Sequence, residues 1–199
     1  MTDRIPASSR GADESAPPGS PGIWIFLFVD MVVFGLLFMT FLGERHRLPE
    51  IFVQSRHHLN AVVGLANTLI LLTSSWSMVE AVHAARTSDA SRCQISLCRS
   101  LLLGVAFAVN KFVEYHAKFA MGLVPATNSF FTFYYTITGL HFLHVLGGMI
   151  FMLHCLARAG AENGTASFIR KTENVGLYWH FVDVLWLFIF PMLYLMDIT

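Results

Sequence analysis

Five apolar runs, each long enough to cross a membrane as a helix, dominate this chain. A hydrocarbon core is about 30 Å thick and is crossed by about 20 helical residues. A transmembrane barrel would instead show strands of about ten residues with alternating polarity. The sequence therefore predicts an all-α integral membrane protein built as a five-helix bundle. The predicted spans are Trp24–Leu42, Asn60–Val82, Leu101–Gly122, Phe131–Ala157 and Leu177–Met196.

The composition agrees with that class, since 13% of the residues are charged, against about 25% in soluble domains. The formal net charge is zero and no basic block occurs, so the sequence gives no indication of nucleic-acid binding or of an anchor for anionic lipids. The three cysteines, Cys93, Cys98 and Cys155, form no Cys-x-x-Cys motif, and we interpret them as reduced structural thiols near the cytoplasmic side.

Residues 1–21 are rich in proline, serine and glycine and precede any apolar run. We predict a disordered cytoplasmic tail there, followed by one membrane domain over residues 22–199. A signal peptide has a short apolar stretch, whereas the first run here has full spanning length and contains Asp30, so we expect it to be retained as the first helix.

Lysine and arginine in short loops indicate the orientation, because they concentrate on the cytoplasmic side. With a cytoplasmic N-terminus and a periplasmic C-terminus, the inner side holds Arg4, Arg10, Arg86, Arg92, Arg99, Arg158, Arg170 and Lys171. The outer side then holds only Arg45, Arg47, Arg56 and Lys118. We therefore predict that orientation.

Several ionisable side chains lie inside the predicted spans, where each charged one costs about 2.5–3.5 kcal/mol on insertion scales. Such groups usually face protein, water or a partner subunit. We treat them together as a candidate intramembrane polar cluster. Its members are Asp30, Lys111, Glu114, His141, His144, His180 and Asp183.

Lys111 and Glu114 are three residues apart and therefore lie on one helix face. The simplest interpretation is a pair that neutralises itself, and a proton relay is the alternative. Asp30 needs a partner at its own depth, and we predict contact with a histidine of the fourth span, His144 more readily than His141.

The histidines also permit a different hypothesis, a haem-binding membrane cytochrome, because imidazole is a common metal ligand. His180 lies shallower in its span than His144 does, and no further ligands accompany the pair His141 and His144. We therefore expect interior hydrogen-bonded histidines and predict no catalytic, cofactor or metal site in this chain. Gly139, Gly147 and Gly148 beside them predict close approach of a neighbouring helix.

Taken together, five segments resemble the subunit III family of haem-copper respiratory oxidases, that is, subunit III of cytochrome c and quinol oxidases. The resemblance runs in order from about Gly22 to Met196 and is most specific in the last two segments. The segments are Gly22-Ile-Trp-Ile-Phe-Leu-Phe-Val-Asp30, Asn67-Thr-Leu-Ile-Leu-Leu-Thr-Ser-Ser75, Glu114-Tyr115, Thr138-Gly-Leu-His-Phe-Leu-His144 and Tyr178-Trp-His-Phe-Val-Asp-Val-Leu-Trp186. The length is similar to that of the short five-helix members. Lys111 stands where oxidase subunits more often carry glutamine, which makes the NorE-type proteins associated with nitric oxide reductase the closer likeness.

The resemblance implies a subunit without haem, copper or redox chemistry of its own. Haem and copper or iron are expected only in a partner, the catalytic subunit of an oxidase or nitric oxide reductase. The implied role is support of assembly, stability or proton uptake in aerobic or nitric oxide-linked electron transport, in a bacterial cytoplasmic membrane. Asp30 matches the buried carboxylate position of the family. Longer members hold phospholipid in a cleft walled by two helices that this chain lacks, so a comparable lipid site would need a wall from another chain.

Overall fold

A computed structural model describes residues 19–195 of the protein. Across that range the chain forms six α-helices and a closing π-helical turn. The long helices agree with the predicted all-α fold, and five of them have the length and hydropathy of membrane spans. The elements are α1 (Pro21–Arg47), α2 (Pro49–Arg56), α3 (Ala61–Arg86), α4 (Ala90–Ala120), α5 (Ser129–Glu162), α6 (Ala166–Phe190) and the π turn (Pro191–Leu195).

The helices extend beyond the apolar runs that predicted them. α4 begins at Ala90 and α6 at Ala166, each 11 residues before the predicted span. These extensions contain polar residues, such as Arg92 and Lys171, which a hydropathy pattern cannot assign to a span. The short helix α2 lies in the connection between the first two spans and was not predicted. The predicted tail falls almost entirely on residues outside the described range.

Local sequence signals explain where several helices begin. The side-chain oxygen of Asn60 accepts from the backbone N–H groups of Val62 and Val63, which caps α3. Asp89, Asn128 and Thr165 cap α4, α5 and α6 in the same way. Such caps satisfy backbone donors that have no partner within the helix.

Trp179 on α6 is the centre of the packing between α4, α5 and α6, and it is completely buried. A Cβ atom added to Gly148 on α5 would lie 2.6 Å from Cε3 of this indole, and one on Gly104 of α4 would lie 3.2 Å from Cη2. The indole N–H donates to Oγ of Ser74 on α3 at 3.1 Å. Gly148 therefore confirms the predicted close approach.

The other two glycines of that prediction behave differently. A Cβ on Gly147 would lie 3.3 Å from the Tyr178 hydroxyl, which is a tight but smaller contact. A Cβ on Gly139 would meet nothing within 4 Å among residues 19–195, so the prediction of close approach at Gly139 is wrong for the described part of the chain.

α1 lies at the edge of the bundle. Its buried residues are Leu27, Phe34 and Phe41, which are seven residues apart and form one narrow stripe. Most of its other apolar side chains are exposed, including Ile25 and Met39. An apolar exposed surface of this kind is compatible with lipid around an integral membrane protein.

Candidate functional site

Glu114 is the centre of a buried polar cluster between α4, α5 and the π turn. Nζ of Lys111, one helical turn earlier, lies 2.9 Å from Oε2 of Glu114, so the predicted pair is confirmed. The hydroxyls of Tyr134 and Tyr194 donate to Oε1 of Glu114 at 2.9 and 2.8 Å. The carboxylate is therefore held by donors from three different elements.

Lys111 is completely buried, and all of its close polar contacts lie within this cluster. Its ammonium donates to Glu114 and to the hydroxyls of Tyr134 and Tyr194, the latter two at 3.2 Å. Aromatic rings also surround it, with Nζ 4.9 Å from the ring centre of Tyr115 and 5.4 Å from that of Trp186. Ring faces attract cations, and this attraction strengthens when water is excluded.

Lys118 joins the same cluster, which corrects the sequence-based placement of this residue among the outer loop charges. It lies on α4, is 5% exposed, and its Nζ is 3.2 Å from Oε1 of Glu114. The signal for this contact was present, because residues four apart share a helix face. Two buried lysines therefore surround one buried glutamate.

Tyr194 had no sequence signal that could connect it with Glu114. The two residues are 80 positions apart, and the contact depends on the end of α6. The α-helix stops at Phe190, where Pro191 cannot donate a backbone hydrogen bond, and the chain continues as a π turn. That turn carries the Tyr194 hydroxyl to the carboxylate.

Asp30 and His144 form the second pair of the candidate cluster. Nε2 of His144 on α5 lies 3.2 Å from Oδ2 of Asp30 on α1, which confirms the predicted contact. Both side chains are 15% exposed. On the other side of the ring, Nδ1 lies 2.8 Å from the carbonyl oxygen of Leu140.

His180 and Asp183 lie on α6 beside α3. Nδ1 of His180 and Oγ of Ser75 are hydrogen-bonded. A cavity of about 250 Å³ reaches His180 from the end of the bundle where Arg86 and Glu173 form an ion pair of 2.7 Å. Asp183 is 4% exposed, and neither carboxyl oxygen meets full hydrogen-bond geometry within residues 19–195, although the hydroxyl of Ser75 lies close enough to interact with the carboxyl group.

His141 is completely buried, with its ring centre 5.8 Å from that of Phe107 and 5.3 Å from that of Trp186. Neither ring nitrogen is hydrogen-bonded to another part of the chain that the structure describes. The prediction of a hydrogen-bonded interior histidine is therefore wrong for His141, although it holds for His144 and His180.

The structure thus divides the seven predicted residues into separate places. Lys111 pairs with Glu114, and Asp30 pairs with His144. His141 lies among aromatic rings, while His180 and Asp183 lie along α6. In the described part of the chain, no group of three or more histidine, cysteine, aspartate or glutamate side chains converges as a metal site would require.

Comparison with known proteins extends over nearly the whole chain. Residues 20–198 match the family described as cytochrome c oxidase subunit III. The chain is 32% identical to cytochrome c oxidase subunit 3 of Alkalihalophilus pseudofirmus over 180 residues, which cover 89% of this chain and 86% of that relative. It is 30% identical to cytochrome bo(3) ubiquinol oxidase subunit 3 of Pseudomonas aeruginosa, covering 88% of this chain and 83% of the relative. Quinol oxidase subunit 3 of Bacillus subtilis is 32% identical, with 89% and 86% covered.

Proposed function

This chain belongs to the cytochrome c oxidase subunit III family, and we propose that it is a non-catalytic membrane subunit of a bacterial haem-copper respiratory complex. The observation that carries the proposal is the match over residues 20–198, which spans every membrane helix. Its role would be to support assembly, stability or proton uptake of the catalytic subunit. Haem and copper or iron would then be held by that partner.

The geometry of the buried charges favours a structural role over a catalytic one. Lys111 donates a hydrogen bond to Glu114, and the hydroxyls of Tyr134 and Tyr194 donate to the same carboxylate. Buried polar groups that pair in this way connect the helices that carry them. A residue that handles substrate usually lines an open cleft, whereas Lys111 is completely buried. We therefore expect substitutions here to reduce assembly before they reduce turnover.

The complex that the chain serves is part of the proposal. The relatives described above are named as oxidase subunits, which favours a cytochrome c or quinol oxidase. The resemblance favours a NorE-type association with nitric oxide reductase, because it implies that Lys111 stands at a position expected to be glutamine in oxidase subunits. Deletion of the gene separates the two, since it would reduce respiration on oxygen in the first case and on nitric oxide in the second.

We also propose the bacterial cytoplasmic membrane as the location, with the N-terminus inside and the C-terminus outside. The buried position of Lys118 in the Glu114 cluster removes it from the outer loop charges. The outer side then keeps only Arg45, Arg47 and Arg56, and the excess of basic residues on the inner side becomes larger.

Co-purification tests the main proposal. The full-length chain carries an affinity tag, is extracted in mild detergent, and is analysed for a haem-containing catalytic subunit; a tagged membrane protein of another family is the control. We expect the catalytic subunit to be enriched with this chain only. Absence of that subunit, together with unchanged respiration on oxygen and nitric oxide after gene deletion, would contradict the proposal.

The same preparation tests the alternative of a haem-binding cytochrome, which is favoured by the ring nitrogens of His141, since neither has a hydrogen-bond partner within residues 19–195. The absorption spectrum is recorded after the chain has been separated from its partner. We expect no Soret band in the isolated chain, because aromatic rings enclose His141. A Soret band in stoichiometric amount would establish the cytochrome instead.

A further inference from the structure

The Glu114 cluster contains two basic side chains but only one acidic side chain. Nζ of Lys111 and Nζ of Lys118 both lie within 3.2 Å of the one carboxylate. The side chain of Lys111 is 1% exposed, that of Lys118 is 6% exposed and that of Glu114 is 8% exposed. A buried charge is tolerated when it is paired with an opposite charge and hydrogen-bonded. With both lysines charged, the cluster needs one additional negative charge.

The two lysines differ in how their donors are used. The Lys111 ammonium has three hydrogen-bond acceptors, namely Glu114, Tyr134 and Tyr194. Lys118 shares Oε1 of Glu114 with both tyrosine hydroxyls. Its other contact within residues 19–195 is the ring face of Tyr134, at 5.5 Å. Lys118 is therefore the lysine with N–H donors left to bind an additional anion.

A cavity lies beside Lys118, between the beginning of α3 and the end of α4. Its volume is about 400 Å³, which is within the size range of small-molecule sites. Asn60 and His58 line it together with Lys118. Oδ1 of Asn60 is used to cap α3, which leaves the amide Nδ2 as a donor, and His58 is exposed. An ammonium, an amide and an imidazole thus surround one space.

The carboxylate of Glu114 also lines this cavity, but it repels an anion there less than an unpaired carboxylate would. Both of its oxygens already accept from lysine and tyrosine donors. Lys111 does not line the cavity, but its Nζ lies 2.9 Å from the Glu114 carboxylate, so the three side chains together comprise two bases and one acid.

The surroundings indicate which kind of anion fits. Lys118 lies two residues before the end of α4, and the ends of a membrane-spanning helix are the parts that reach the lipid head groups. Apolar side chains continue from the cavity along the exposed helix faces, including Val113 and Met121. A positive pocket beside an apolar surface suits a head group and its acyl chains. We propose that the cavity between α3 and α4 binds the phosphodiester of a phospholipid, with Lys118 as its counter-charge.

This site is separate from the groove of about 350 Å³ between α1, α5 and α6, which Tyr178 and Lys171 line. It also requires no wall from another chain, because Lys118, Asn60 and His58 all belong to this protein. The proposal therefore does not depend on the identity of the catalytic partner.

Lipid binding to the full-length chain tests the proposal. The protein is delipidated in phosphate-free non-ionic detergent, and dioleoyl phosphatidylglycerol is added while thermal unfolding and native mass spectrometry are followed. A ligand that binds the folded state raises the unfolding temperature. We expect a rise and a one-lipid adduct with the wild type, and at least a tenfold weaker affinity with Lys118→Gln.

Three matched variants separate the effect of the Lys118 charge from that of the cavity and of surface charge in general. Lys118→Arg retains the charge and should retain the lipid. Val63→Phe fills the cavity without changing any charge and should lose the lipid, which keeps the test valid if Lys118→Gln folds poorly. Arg92→Gln removes a charge from an exposed part of α4 and should bind as the wild type does.

Two results would overturn the proposal. Equal lipid affinity of Lys118→Gln, Val63→Phe and the wild type would show that the lipid binds elsewhere, and loss of binding in Lys171→Gln would place it in the α1–α5–α6 groove. An equal temperature rise with inorganic phosphate at the same concentration would identify a free-anion site instead of a lipid site.

Discussion

Asp30 and His144 join the edge helix α1 to α5 by a contact of 3.2 Å between Oδ2 and Nε2. On the other side of the ring, the carbonyl oxygen of Leu140 can only accept, so Nδ1 of His144 carries a hydrogen. The contact with Asp30 therefore needs a second proton, which either Nε2 or the carboxyl group carries. This pair adds a polar contact to the narrow apolar stripe through which α1 packs.

Substitution of Asp30 should distinguish hydrogen bonding from burial. Asp30→Asn keeps a partner for Nε2 of His144, whereas Asp30→Ala leaves that nitrogen unsatisfied, which typically costs about 1–3 kcal/mol. We expect Asp30→Ala to lower the unfolding temperature and the yield of folded protein more than Asp30→Asn. Glu50→Ala is the control, because Glu50 is exposed and its removal should change stability by about 0.5 kcal/mol or less. Equal effects of both Asp30 variants would argue against the hydrogen bond.

Removal of Glu114 should destabilise the protein through the lysines that remain. Glu114→Gln leaves Lys111 and Lys118 buried without a carboxylate, and breaking a buried pair typically costs about 3–5 kcal/mol. The double variant Glu114→Gln/Lys111→Gln removes one of those charges, so we expect it to be more stable than Glu114→Gln alone. Unfolding followed by denaturant titration measures the difference.

The single variant Lys111→Gln completes a double-mutant cycle with these two variants, and the exposed pair of Arg158 and Glu162 provides its control. Its atoms are 2.7 Å apart, but the arginine side chain is 56% exposed. Exposed pairs typically contribute about 0.2–1 kcal/mol. A coupling energy for Lys111 and Glu114 no larger than that of this pair would show that the buried pair is unimportant for stability. A Glu114→Gln variant that assembles normally but has no turnover would instead support a proton relay.

Substitution by alanine should have different effects on thermal stability at two glycines of α5. The new Cβ in Gly148→Ala would lie 2.6 Å from the Trp179 indole, and such overpacking typically costs about 1–3 kcal/mol. Gly139→Ala meets nothing within 4 Å, and alanine favours a helix by about 0.5–1 kcal/mol. We expect thermal unfolding to occur at a lower temperature in the first variant and at an unchanged or higher temperature in the second. The same response in both would mean that Trp179 does not limit the approach of α5.

Cysteine labelling tests the proposed orientation. Ala126 is exposed in the connection between α4 and α5, and Ser167 is exposed in the first turn of α6, at the opposite end of the bundle. After Cys98 is replaced by serine, a membrane-impermeant maleimide should label Ala126→Cys in intact spheroplasts. Ser167→Cys should be labelled only after permeabilisation, and the opposite pattern would reverse the topology. Cys93 cannot serve as a reporter, because it is completely buried.

Sequence reasoning identified the two pairs inside the spans for different reasons. Lys111 and Glu114 lie three residues apart, so helix geometry alone brings them together. Asp30 and His144 are 114 residues apart, and that prediction depended on depth in the membrane and on the cost of leaving a carboxylate unpaired. Depth also made His141 a candidate, and its ring points instead toward Phe107 and Trp186.

The sequence by itself determined the class of fold and the five spans, because the length and hydropathy of a helix in lipid are local properties of the chain. It also determined which polar residues had to be accommodated inside. Only the tertiary structure decided their partners, such as Tyr194 for Glu114, and which glycine meets Trp179. Those contacts depend on the rotation and tilt of each helix, which packing against neighbours sets and hydropathy does not encode.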